Sequence, residues 1–466
     1  MKILTILGLI LSILFIFSPD KELFALAAVL LLFLVKFSWR DNEPKVLFIG
    51  VILYWCTVCT LLVYGAFFNE PLIGQTLTPN TFVFTTYLAL IATFVYCSAI
   101  FLVIKKIKIN KLSVVFAELQ RYDPKKLLLF YCVFSFSWSV LGVSVFNWGG
   151  LAQLGVGLMW MKWAFLTLLV MHTVLFPSNQ KYVYIILVIE ILLSFTGFWS
   201  SFKDYLYIAA SSFLTFSIVM NTRRIVLVIF LGVAAFFIMV LWTVVKGDYR
   251  VYLTGDERTF DVEETDKTEN LKKLSDLVTN DFGEEKFSKQ FKEGIGSLAH
   301  RINYTEYFAM AVGQVPSVIP YEGGTLLKAG FEHIFKPRLF FPDKADIDDS
   351  QITSKYTGRR FAGAELGASF SLGSVAERYI DFGPYFMFIP IFGFGLIIGN
   401  IYKYIYTKSL NRVWGMACVA PLLFLIPNLG VATTKFLGWT FTYFIVWILF
   451  NKFVVKSLDR YLRHSK

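Results

Sequence analysis

The sequence predicts an all-α polytopic membrane protein of about twelve transmembrane helices, with one large external loop between spans 9 and 10. Three observations predict it. The 466 residues are 56% hydrophobic and 18% aromatic, with a mean hydropathy of +0.61, too apolar for an ordinary water-soluble chain. Near-continuous apolar runs of roughly 17–25 residues recur, the length that crosses about 30 Å of hydrocarbon. Lysine and arginine alternate in abundance from one gap between runs to the next, as they do when a chain threads back and forth across a membrane.

In chain order the runs fall at roughly 3–18, 22–36, 46–67, 81–104, 127–147, 159–176, 182–199, 204–220, 224–245, 382–402, 413–429 and 435–455. The first follows Lys2 but leads through Pro19-Asp20-Lys21 into another apolar run with no small-x-small cleavage site, so it reads as a span and not a signal peptide. One set of gaps holds 22 lysines and arginines and the opposite short gaps hold 4. The rich side is cytoplasmic by the positive-inside rule, which puts both termini inside and residues 246–381 outside. The chain thus divides into spans 1–9 over 1–245, the external loop over 246–381, and spans 10–12 with a cytoplasmic tail over 382–466.

The net charge of +11 flanks the spans and reads as topology signal, not as a nucleic-acid surface. Cys56, Cys59, Cys97, Cys132 and Cys418 all lie in apolar runs, which excludes a disulfide framework for the loop. Cys56 and Cys59, flanked by Val, Trp, Thr and Leu, are packing residues rather than a redox or zinc pair. Gly395 and Gly399 form a GxxxG of close helix packing in span 10. Glu190, inside YIILVIEILLSF, is an intramembrane acid and therefore a functional candidate, with Lys162 and His172 marking polar points in a neighbouring span. No Walker A, GxSxG, dinucleotide fingerprint or HExxH is present, so no nucleotide, metal or other cofactor is expected.

The loop has two textures. Asp248–Lys292 is crowded with acids and lysines and reads as a solvated, partly helical surface. From Ser297 onward, Leu298, Ile302, Thr305, Ala309 and Val312 recur at helical spacing, with Arg301, Tyr304 and Phe308 along a neighbouring face. Pro316 and Pro320 then break the helix, and the small residues of Ala362–Ser374 suit a segment that dips back toward the membrane. Nine cations follow one another here: Arg301, Lys328, Lys336, Arg338, Lys344, Lys355, Arg359, Arg360 and Arg378. Five are arginines, the side chain suited to forked contacts with phosphate. They read either as a grip on an anionic substrate such as a pyrophosphate or as partners of Asp343, Asp346, Asp348, Asp349 and Asp381. Glu365 and Glu377 have the least charged surroundings among the loop carboxylates, and desolvation would suit either to take a proton. His300 and His333 are further candidates. Asn303-Tyr304-Thr305 fits a glycosylation sequon.

Four stretches resemble the polysaccharide repeat-unit polymerases of bacterial envelopes, the Wzy-type O-antigen polymerase family. They are Ala299-His300-Arg301, Pro320-Tyr321-Glu322-Gly323-Gly324, Lys336-Pro337-Arg338-Leu339-Phe340-Phe341-Pro342-Asp343-Lys344, and Ala376-Glu377-Arg378-Tyr379-Ile380-Asp381-Phe382-Gly383. The acidic insert Asp256–Lys292 departs from that pattern. The resemblance implies a metal-independent glycosyltransferase on a GT-C-like fold in the bacterial cytoplasmic membrane. Its substrate would be a polyprenyl-diphosphate-linked glycan, with membrane lipids and a chain-length regulator as further partners and no nucleic acid. Arg301, Arg338 and Arg378 would meet the diphosphate, then Arg359 and Arg360, with Lys336 and Lys344 beside them. Glu377 or His300 would be the base. A ligase that moves glycan from the lipid carrier to an acceptor shares this scaffold, and a lipid-linked glycan flippase also suits twelve spans.

Overall fold

In the computed structural model, the described residues are 2–141, 151–195, 202–216, 222–254, 267–281, 287–336, 340–341, 348–363, 369–427 and 430–464. The molecule is 81% helical and the described residues hold no strand. It is an all-α membrane protein. Among the described residues, six helices are long and apolar enough to cross a membrane: Val46–Phe68, Pro79–Ile104, Ala152–Leu175, Ile229–Thr254, Phe388–Lys408 and Thr433–Phe453.

Helices stand at all twelve expected spans, but the other six fall short by length or charge. Lys21–Ser38 carries Lys21, Glu22 and Lys36. Leu4–Phe17 and Arg412–Phe424 are apolar but shorter. Pro124–Leu141 is described only in part of its expected length. Gln180–Ser194 has 15 residues and Phe202–Phe213 has 12, about 22 and 18 Å of helix at 1.5 Å per residue, less than a hydrocarbon core. Hydropathy counts apolar residues and does not see where a helix ends.

The tightest seam joins Pro79–Ile104 to Phe388–Lys408. A Cβ on Gly395 would lie 2.3 Å from the Tyr96 carbonyl oxygen, and one on Gly399 would meet Val103 and Ile100. The GxxxG thus lets two backbones touch. Tyr96 also donates its hydroxyl to the Ile426 carbonyl at 3.2 Å, which ties the segment after Arg412–Phe424 to the same helix.

Among the described residues, connections of each charge class bond to one another. Among the basic ones, Arg40 donates to the carbonyls of Ile104 and Ile107, Asn110 to Tyr406, and Tyr122 to Asp459. Among the lysine-poor ones, Thr76 and Thr78 donate to Glu306, Lys292 pairs with Glu70, and Lys435 pairs with Asp349.

The periodic stretch from Leu298 to Val312 is not one helix. It is two, Phe287–Ile302 and Thr305–Gln314. The break has a cause: Asn303 donates its amide to the Val58 carbonyl and accepts from Thr305 N, while Tyr304 N donates to the Thr57 carbonyl. Asn303 is buried and committed to the bundle, so the sequon is not a surface acceptor. The Pro320–Gly324 turn docks on the re-entering helix, with Glu322 N and Gly323 N donating to the carbonyls of Ile380 and Asp381. At the membrane re-entry, Gly383 adopts φ 72°, ψ −177°, a conformation essentially confined to glycine.

Candidate functional site

The predicted site residues separate into two environments. In the first, Glu377, Arg378 and Asp381 stand on the first turns of Ser374–Phe386. Arg378 is 0% exposed and Glu377 4%. The guanidinium lies 3.4 Å from Glu377 Oε2 and 3.3 Å from Asp381 Oδ2, with its carbon 5.8 Å from the centre of the Phe394 ring. Asp381 accepts from Leu326 N and Leu327 N at 3.0 and 2.8 Å, the unpaired amides that open the helix Thr325–Phe335. Thr433 donates both its backbone N–H and its hydroxyl to Glu377 Oε2. Burial raises both carboxyls, more strongly than Arg378 lowers them, and burial also lowers Arg378. Arg378 is therefore an enclosed tie between three elements, not a side chain open to a lipid headgroup. Among the described residues every hydrogen bond to Glu377 lands on Oε2, which leaves Oε1 as the oxygen to meet a proton.

The second environment is open. His300 and Arg301 are exposed at the C-terminus of Phe287–Ile302. Lys246 comes within electrostatic reach of Lys203, Arg250 and Arg301, and Arg250 also feels Arg301. Among the described residues the charges that act on Lys246 are all positive. Beside this cluster lies an apolar cleft of about 300 Å³ between Val46–Phe68, Ile229–Thr254 and Phe287–Ile302, walled by Tyr64, Phe67, Phe236, Met239, Leu298 and Ile302. Lys246 is two turns from Met239 on one helix face, and Arg301 adjoins Ile302. Gly294 makes the helix contact possible, since a Cβ there would lie 2.8 Å from Val244 Cγ2.

The remaining candidates do not join either group. Lys336, Arg359 and Arg360 are exposed. Lys355 pairs with Glu322 at 3.0 Å, and Lys328 lies 3.8 Å from Glu332. Arg338, Lys344 and Glu365 lie outside the described residues. Sequence reasoning missed Lys203, Lys246 and Arg250 because each sits at a span end, where cations read as topology signal. The usable hint was the spacing of Lys246 and Arg250, four apart on the extension of an apolar helix.

The profile of a family described as Domain of unknown function (DUF8712) matches residues 107–458, most of the chain. The chain belongs to that family. The DUF8712 match takes in the open cation cluster, the buried Glu377–Arg378–Asp381 set and the C-terminal half of the tight seam, and it begins after the Pro79–Ile104 helix. No curated protein and no solved structure matches the chain.

Proposed function

We propose that this chain is a glycosyltransferase that polymerises polyprenyl-diphosphate-linked oligosaccharide repeat units on the outer face of the bacterial cytoplasmic membrane. Its scaffold would be GT-C-like with twelve crossings, both termini cytoplasmic, and a chain-length regulator as partner. The observation that carries the reading is the four-cation cluster beside an apolar cleft. An amphiphile with an isoprenoid tail and a diphosphate head matches that pairing of surfaces. Like charges brought together oppose folding, and an anion seated among them would relieve that repulsion, so binding would stabilise the protein.

In the transfer, an acceptor hydroxyl oxygen forms a bond to the anomeric carbon and the bond from that carbon to the diphosphate oxygen breaks. The leaving group carries away the electron pair, and Lys246, Arg250 and Arg301 are the preorganised charges that meet it. The hydroxyl proton goes to a base, for which Glu377 Oε1 and His300 are the candidates. Burial fits Glu377 for that work by raising its affinity for a proton.

The test uses purified protein and a synthetic diphosphate-linked repeat unit, with products resolved by size. A ladder of lengthened products is expected. Transfer of intact glycan to a foreign acceptor without lengthening would identify a ligase instead, and no transfer at all would end the enzymatic reading. For topology, reporters at Lys126, Arg224 and Arg412 should read cytoplasmic and those at Asn80 and Asp261 external. An external signal at Lys126 would overturn the arrangement.

A further inference from the structure

The last helix, Val455–Leu462, follows the final long span and is sharply two-sided. Val455, Leu458, Asp459 and Leu462 are buried, while Lys456, Arg460 and Tyr461 are exposed. The helix is fixed at both faces and does not trail. Asp459 accepts from Trp414 Nε1 at 2.9 Å, from the Tyr122 hydroxyl at 2.5 Å, and from Arg463 Nε at 2.9 Å. Asp123 N donates to the Leu462 carbonyl and His464 N to the Arg121 carbonyl. Lys126 Nζ donates to the carbonyls of Tyr461 and Arg463 at 2.8 and 2.9 Å.

Between this helix, Leu112–Leu119 and the turn before Arg412–Phe424 lies an open cleft of about 410 Å³. Its two acids are already engaged. Asp459 is held as above, and Glu118 pairs with Arg121 at 2.9 Å while Arg463 stands 3.9 Å away. Lys456 and Arg460 also line the cleft, four apart on one helix face, and among the described residues no acid pairs with either. With Arg463 they make three cations against two acids, an excess of one positive charge. Leu410 forms part of the wall and is exposed, as are Phe453 and Val454 at the start of the helix. An apolar lip of this kind is costly in water and is covered at the edge of a bilayer. Topology asks only for cations beside a span. It does not ask that they stand unpaired in a cleft with an apolar lip.

We propose that this cleft seats the headgroup of an anionic phospholipid, with Lys456 and Arg460 on the phosphodiester and Leu410 against the glycerol and first acyl carbons. A phosphodiester carries one negative charge, which matches the excess, and the Arg460 fork can offer N–H groups to both of its free oxygens. A choline head would bring a bulky cation up to Lys456 and Arg460 and offers no N–H of its own, so it matches poorly. The expected topology makes these connections cytoplasmic, and the lipid then belongs to the cytoplasmic leaflet, where anionic lipids attract basic segments. The cleft uses no group of the transfer chemistry and stands whether or not that reading holds.

The test takes the full chain, delipidated in a neutral detergent, and titrates it with phosphatidylglycerol or with phosphatidylcholine of the same acyl chains. Bound lipids are counted by native mass spectrometry. One phosphatidylglycerol is expected to be retained more tightly than any phosphatidylcholine. The double variant Lys456→Gln/Arg460→Gln should weaken that binding about thirtyfold. Lys105→Gln/Lys106→Gln removes two exposed cations that do not line the cleft, and should change it by no more than about twofold. Leu410→Ser should weaken the lipid as well, and an excess of inorganic phosphate should not displace it, because a bare phosphate has nothing to set against the apolar lip. The proposal is overturned if no lipid is retained, if both lipids bind equally, or if the double variant binds as the parent does. Equal loss in the Lys105/Lys106 pair, or full displacement by inorganic phosphate, overturns it too. The lipid comparison and the phosphate competition use the parent protein, so they decide the matter even where a variant fails to fold.

Discussion

Two sets of charges contain an arginine that the sequence marks as a phosphate ligand, and the fold treats them in opposite ways. Around Arg378, two carboxylates and an aromatic ring close on one guanidinium, and a helix N-terminus donates to one of those carboxylates. Around Arg301, cations meet cations beside an apolar cleft. The first arrangement ties its segments together through Arg378 Nη2, while Nε and Nη1 are buried without a hydrogen-bond partner among the described residues. The second sets Lys246 among like charges, a repulsion that a bound anion would relieve. A charge's partner, not its residue type, decides whether it serves architecture or binding.

The largest expected effect comes from breaking the closed set. Arg378→Met leaves Glu377 and Asp381 buried without their counter-ion, and removal of one partner of such a set costs about 3–5 kcal/mol. Thermal unfolding in detergent should show that loss, with little folded protein recovered. A variant that melts normally would place Arg378 among the ligand contacts after all. In the open set, Arg301→Ala should fold normally yet lose product on the order of a hundredfold, as when one transition-state donor is removed. Unchanged product length would shift the burden to Lys246 and Arg250.

Gly383→Ala tests the joint that carries the closed set into the membrane. Its φ of 72° is strained for alanine, and the new Cβ would lie 3.1 Å from Tyr321 Cζ, so a loss of about 1–3 kcal/mol is expected. A melting point equal to that of the parent would show that the turn relaxes freely. The raised proton affinity of Glu377 gives a pH test with a definite sign. If Glu377 is the base, activity should fall as pH drops through a value above the ordinary carboxylate range, because the protonated form cannot accept. Burial of the neutral form also means that its contribution to stability weakens as pH rises, since the unfolded chain releases that proton first. An acid limb that persists in Glu377→Gln would assign the base elsewhere. Smallest of all, Lys355→Ala removes an exposed pair with Glu322 and should change stability by no more than about 1 kcal/mol.

The class of fold was legible in the sequence, because hydropathy and charge alternation act over whole segments. Helix length was less legible: Gln180–Ser194 and Phe202–Phe213 sit in longer apolar runs, of which 196–199 and 217–220 lie outside the described residues. The split at Asn303 was hidden for a different reason. An apolar stripe at helical spacing continues across it, and only the docking of Asn303 on Val58 interrupts the backbone. Glu377 and Arg378 were found as a pair of site candidates, while their enclosure by Thr433, Leu326 and Leu327 depends on contacts from distant segments that no local pattern carries.

The seam between Gly395 and Tyr96 has a consequence for how the protein is made. Tyr96 and Gly395 are about 300 residues apart in the chain, and at ~5–20 residues per second the ribosome needs on the order of half a minute to supply the second after the first. Throughout that interval the grooved face of Pro79–Ile104, shaped to receive a backbone, has no mate. Lipid or the insertion machinery must occupy it, and fragments that end before Phe388 would be degraded or would pair wrongly. Supplying Phe388–Lys466 as a separate polypeptide should rescue such a fragment, since the join is made by surface fit and not by continuity of the chain.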